Sequence, residues 1–225
     1  MRVFELFQTM PEGVNDPHIF KAVFMAGAPG AGKSTIANKL FGGTGLKSLN
    51  VDTFWQLHAT VHNTAGRRGD YEKFWELYKN QEKNYLDGRL GLLIDGTARN
   101  PEKMADVKVK LESMGYDCAM VFVNTSLETS LARTVQRAGT PGKDQGRVVD
   151  DKFVTQTWQQ VQNGLGKLQG TFGQQFYIID NNDTPNITYV DKAMRAWLAA
   201  PPRRPAAAEW IKQQHAARTQ GNTNG

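Results

Sequence analysis

Cysteine is nearly absent from this 225-residue chain, where Cys118 stands alone. A single thiol closes no internal disulfide and builds no thiolate metal cluster. It falls in the apolar run 118–123, where a buried, inert thiol is expected. Histidine is scarce too, with four in all. His58 and His62 could face one way from a helix, but no third ligand accompanies them, so a metal centre is not expected there. Long apolar stretches are missing: 22–28 and 118–123 fall far short of the roughly 18 to 20 residues a membrane helix needs. The first ten residues lack the basic, apolar, small-residue order of a secretory signal. The expectation is a cytoplasmic protein that does not engage a membrane.

What is present suits one packed core, with 40% hydrophobic and 22% charged residues. The net charge of +5 is unevenly spread. Arg203, Arg204, Lys212 and Arg218 face only Glu209 after Pro201, so more than half of the excess belongs to a tail. That is a weak pointer to a polyanionic partner.

Short β-type runs alternate with helical patterns, the mark of a parallel sheet with crossover helices. The runs are Lys21–Ala26, Lys47–Val51, Leu90–Ile94, Tyr116–Val123 and Gln175–Ile179. Helical patterns cover Lys33–Phe41, Pro101–Met114, Ser126–Ala138, Asp150–Leu168 and Ile187–Leu198. The expected fold is α/β, three layers with a central, mostly parallel five-stranded sheet. Residues 1–199 form the expected catalytic domain, with an aromatic insert at about 53–87 and a glycine-hinged lid at about 133–150. Residues 200–225 read as a Pro-rich linker and a basic, partly helical tail.

Gly27-Ala28-Pro29-Gly30-Ala31-Gly32-Lys33-Ser34 matches G-x-x-x-x-G-K-[ST] directly after a strand and at the opening of a helix, which makes the expected three-layer α/β fold that of a P-loop NTPase. Glycines let the backbone curl so that successive N–H groups face a phosphate, and the helix N-terminus adds to that field. These eight residues and Thr35 are the expected ATP-binding segment, with Lys33 reaching the β and γ phosphates and Ser34 ligating magnesium. Asp95 ends an apolar strand and is the second candidate magnesium ligand. Gly96 follows it instead of a water-orienting carboxylate, which favours transfer to an acceptor over the alternative of a P-loop ATPase or nucleotide-binding switch.

Asp52 closes the second run, and a carboxylate beside the γ phosphate can take a proton from an attacking hydroxyl. It could equally cap the helix that follows. Arg133 and Arg137 lie one helical turn apart, and Arg147 follows the lid loop. Arginines closing on a dissociative phosphoryl transition state would stabilise its charge. Phe74, Trp75, Tyr78 and Tyr85 in the insert are spaced to give a helix an apolar side. Asn181 and Asn182, after the last run, are candidates either for adenine contact or for turn formation.

Ile94-Asp95-Gly96-Thr97-Ala98-Arg99-Asn100-Pro101, followed by Gly115-Tyr116 and by Arg133 through Arg137, resembles zeta-toxin-type kinases over about residues 20–180. Polynucleotide kinases share parts of the pattern. The family often carries glutamate where Asp95 stands. The resemblance implies magnesium-dependent phosphorylation of a hydroxyl on a UDP-linked amino sugar. It further implies Asp52 as base, Thr97 and Arg99 as contacts to substrate or phosphate, and Arg133, Arg137 and Arg147 as charge stabilisers. The expected activity is therefore a kinase for a hydroxyl-bearing, sugar-nucleotide-like small molecule. A nucleic-acid kinase acting on a polynucleotide 5′ hydroxyl or a hydroxymethylated base is the alternative. No protein partner is legible.

Overall fold

The computed structural model describes residues 14–50, 70–138 and 149–221. Asp52, His58, His62 and Arg147, together with the loop 139–146 of the expected lid, lie outside the described residues.

Strands β1 (Lys21–Ala26), β2 (Lys47–Leu49), β3 (Leu92–Asp95), β4 (Asp117–Asn124) and β5 (Phe176–Asp180) form one sheet in the order β2-β3-β1-β4-β5. All four pairings are parallel, with Val23 opposite both Leu93 and Ala119. A central strand of such a sheet is covered on both faces and therefore reads as continuously apolar, as every residue of β1 is buried. Side chains alternate between the faces. Ala22, Phe24 and Ala26 join Leu92, Tyr116, Phe122, Val161 and Phe172 in one core, whereas Val23 and Met25 join Ile36, Leu40, Val121 and Met194 in the other. Helices α3 (Pro101–Ser113) and α5 (Asp151–Phe172) line the first core. Helices α1 (Lys33–Phe41) and α6 (Thr188–Ala199) line the second. Helix α2 (Asp70–Asp87) precedes β3, and α4 (Leu127–Ala138) follows β4. The result is the three-layer arrangement expected.

Several expected boundaries move. The second strand stops at Leu49, and the third begins at Leu92. Helix α5 runs on past Leu168 to Phe172, because the stripe Val154, Val161, Leu168 and Phe172 keeps burying apolar surface. The strand leading toward Asp52 is not next to the one feeding the phosphate loop, since β3 lies between them.

The Pro-rich linker and basic, partly helical tail expected at the end of the chain pack against the body. Arg204 Nε donates to the Tyr116 carbonyl at 2.8 Å, and its guanidinium pairs with Glu112. Helix α7 (Pro205–Gly221) then buries Ala207 completely and sets Trp210 edge-on to Phe20, ring centroids 5.4 Å apart. Gly115, at φ 101, makes the close approach possible, because a Cβ there would sit 2.9 Å from the Ala207 amide nitrogen. Beside it, at the amino ends of β1 and β4, Lys21 and Asp117 form a buried ion pair at 2.9 Å. The Arg203 amide donates to the same carboxylate, and the Trp197 ring lies 4.8 Å from the Lys21 ammonium. A buried pair of this kind survives by having its remaining hydrogen-bonding sites answered.

Candidate active site

At the opposite, carboxyl end of the sheet, the chain leaves β1 through Gly27–Gly32 and enters α1 at Lys33. Gly27, Gly30 and Gly32 have φ of 143, 77 and 86, a region that L-residues with a Cβ rarely occupy. Space is a second constraint, and it comes from behind the loop. A Cβ on Gly27 would lie 2.5 Å from the Val123 carbonyl oxygen, one on Gly30 2.3 Å from that of Ser130, and one on Gly32 2.4 Å from Asn181 Nδ2. The glycines thus let the loop press onto β4, α4 and the turn after β5.

Two loop amides are used internally: Gly27 donates to the Thr97 carbonyl at 3.3 Å and Ala31 to that of Ala28 at 3.1 Å. Among the described residues, no backbone carbonyl accepts from the amides of Gly30, Gly32 or Ser34. Those donors open a helix whose dipole is positive at this end, which is the arrangement that accepts a phosphate. Lys33 Nζ donates to the carbonyls of Gly27 at 3.0 Å and Ala28 at 3.2 Å. Anionic phosphate oxygens are stronger acceptors than these carbonyls. Ser34 and Thr35 are exposed on the first turn of α1.

Asp95 is the last residue of β3 and pairs with Met25 of β1, so its carboxylate stands beside the loop's point of departure. Asn50, at the end of β2, donates to Asp95 Oδ2 at 3.0 Å and links the two strand ends. Thr97 is half-buried, and its carbonyl holds Gly27. Arg99 is exposed, its guanidinium 5.8 Å from the centre of the Phe153 ring. It borders an open groove of about 480 Å³ between the start of α3 and α5, shared with Asn100, Gln160, Asn163 and Lys167. Asn100 caps α3 by accepting from the Lys103 amide, and Pro101 occupies the first turn.

Of the arginines, Arg133 donates to the carbonyls of Asn181 at 2.7 Å and Asn182 at 3.2 Å. Arg137 lies one turn further along α4 and is exposed. Lys33, Ser34, Thr35, Asp95 and Thr97 therefore gather around the carboxyl ends of β1 and β3, whereas Arg133 is engaged at the end of β5 and Arg99 opens onto the groove. Sequence reasoning does not single out Asn50 as the partner of Asp95 or Asn181 as a support of the loop. Their signal was slight: each is an asparagine at a strand end, a place where turns alone account for it.

With this geometry in hand, the zeta toxin family model matches residues 10–192. The chain belongs to the zeta toxin family. Solved structures agree on the fold at low identity. In the PezAT chromosomal toxin-antitoxin system of Streptococcus pneumoniae, 96% of this chain aligns with 91% of that chain at 17% identity and a TM-score of 0.53. In the AvrRxo1-ORF1:-ORF2 complex with ATP, 74% aligns with 56% at 16% identity and a TM-score of 0.59. In the Pnkp1/Rnl/Hen1 RNA repair complex, 72% aligns with 48% at 19% identity and a TM-score of 0.53. This zeta toxin family chain thus spans about half the length of the AvrRxo1 and Pnkp1-complex chains it matches. A comparison with curated protein sequences finds no match. The family match ends at residue 192, before α7 begins.

No helix among the described residues is long and apolar enough to cross a membrane. Cys118 is buried, and burial pushes its thiol up to about 12, helped by the nearby Glu112 carboxylate. That is the environment of an inert thiol.

Proposed function

We propose that this chain is an ATP-dependent kinase that phosphorylates a hydroxyl on a small, sugar-nucleotide-like acceptor. The observation that carries the reading is the phosphate loop: curled glycines backed by protein, amides of Gly30, Gly32 and Ser34 that no backbone carbonyl among the described residues accepts, and Lys33 beside them. Membership of the zeta toxin family supports the same activity. Gly27 through Thr35 bind the triphosphate. In the transfer step the acceptor oxygen attacks the γ phosphorus and forms the new P–O bond. The bond from that phosphorus to the β–γ bridging oxygen breaks, ADP leaves with the electron pair, and the hydroxyl proton passes to the Asp52 carboxylate.

Ser34 and Asp95 are hard oxygen donors of the kind magnesium selects, at the start of α1 and the end of β3, and they would hold the ion. When bound, that ion neutralises phosphate charge as the γ group leaves. Lys33 orients the β and γ phosphates. Arg137 and Arg147 supply further positive charge as the lid excludes water. Thr97 and Arg99 hold the acceptor, which extends from the reacting hydroxyl into the polar groove beside Arg99.

The nucleic-acid alternative draws on the basic tail, where Arg203 and Arg204 both stand against carboxylates. Arg203 lies 3.8 Å from Asp117, and Arg204 pairs with Glu112. This favours a small acceptor. The test is transfer of labelled γ-phosphate from ATP to a panel holding UDP-linked amino sugars, free nucleosides, and oligonucleotides with 5′ hydroxyls, read by mass spectrometry. Label on a nucleotide sugar, lost in Lys33→Ala, is the expected result. Label released only as inorganic phosphate would overturn the kinase reading, and label on the oligonucleotide would replace the acceptor.

A further inference from the structure

We infer that Asn181 and Arg133 are positioning residues for the phosphate loop, a brace from α4 through the turn after β5 to the loop. This rests on the proposed phosphoryl transfer and gives both residues a role different from adenine contact or charge stabilisation. Asn181 is buried, and its Nδ2, its amide and its backbone carbonyl are all committed. Its Nδ2 donates to the Ala31 carbonyl inside the loop at 2.7 Å, its amide donates to the Asn124 carbonyl of β4 at 2.9 Å, and its own carbonyl accepts from Arg133 at 2.7 Å. A Cβ on Gly32 would come within 2.4 Å of the same Nδ2, so the loop rests directly on this side chain.

Arg133 closes the structure from the other side. Its guanidinium bridges two successive carbonyls, of Asn181 and Asn182, in the forked geometry that lysine does not reproduce. Asn182 returns the link by accepting from the Ser126 amide at 2.7 Å, just before α4. Helix α4 touches the loop as well, since the Ser130 carbonyl and Thr134 Oγ1 back Gly30. Loop, turn and α4 form a closed triangle. Arg133 secures one corner, and Asn181 holds the loop against it. A guanidinium committed to these two carbonyls at the end of β5 sets where the loop's amides point.

The experiment separates bracing from base contact and from charge stabilisation. Asn181→Asp keeps shape but turns a donor into an acceptor facing the Ala31 carbonyl. Arg133→Gln removes the fork from a half-buried site, and Arg133→Lys keeps only its charge. Affinity is measured for ATP and for inorganic tripolyphosphate, which has no base, with full-length protein whose unfolding midpoint is recorded. A brace predicts that Asn181→Asp and Arg133→Gln weaken both ligands by the same factor, roughly tenfold to hundredfold, that lysine does not rescue, and that the double variant loses less than the product of the single losses. Weakening confined to ATP would make Asn181 a base contact and overturn the inference. Unchanged binding with a reduced turnover in Arg133→Gln, restored by lysine, would return Arg133 to charge stabilisation. If Asn181→Asp does not fold, the Arg133 pair decides alone. Wild-type protein that binds neither ligand would instead refute the kinase reading on which the inference rests.

Discussion

Replacing Trp210 by alanine tests whether the end of the chain belongs to the folded body. Trp210 is half-buried, edge-on to Phe20 at 5.4 Å and 82° between planes, next to the fully buried Ala207. A fully buried Trp→Ala change costs about 3–5 kcal/mol, and roughly half of that applies here. Loss of the edge-on pair adds about 0.5–1.5 kcal/mol, for a total of about 2–4 kcal/mol. The assay is urea unfolding of the full chain. With a slope of about 3 kcal/mol/M, the midpoint should fall by roughly 1 M. Lys212→Ala, on the exposed side of α7, is the control and should leave the midpoint where it is. A Trp210→Ala midpoint equal to that of the wild type would mean that α7 does not dock on Phe20 in solution.

Three further outcomes follow from the same description. Asp52→Asn should lower turnover by orders of magnitude while ATP affinity stays nearly constant; equal turnover would remove Asp52 from the role of base. Cys118 should resist thiol reagents at neutral pH until the protein unfolds, and its contribution to stability has a defined direction. The folded state keeps a proton that the unfolded thiol gives up from its ordinary 9.0, so stability is complete below that pH and declines as pH rises toward about 12. Denaturation midpoints across that range, compared with Cys118→Ala, check the sign. Finally, acceptor KM should change little with salt, whereas for a duplex polymer contacting several phosphates log KM would rise with log salt by about 0.9 per contact.

The phosphate loop was legible because its spacing carries a mechanism: glycines where the backbone must turn, lysine and serine where a helix opens, and an apolar strand before them. The alternation of strands and helices predicted the parallel sheet for a similar reason, since periodicity records which faces are covered. Less was legible at strand ends. Asn50 and Asn181 look like turn residues in a linear reading, and only the folded chain brings one to Asp95 and the other to Ala31.

The tail shows the same limit from another side. The prolines between 201 and 205 suggest a linker by composition, yet Arg204 reaches Tyr116 across 88 positions of chain. Local pattern alone therefore settled the fold class, the loop and the inert cysteine, because each depends on neighbours within a few residues. Strand order, the edge position of β2, the engagement of Arg133 at the end of β5 and the docking of α7 came from tertiary structure. They depend on which surfaces meet across long stretches of chain, and no local spacing encodes that.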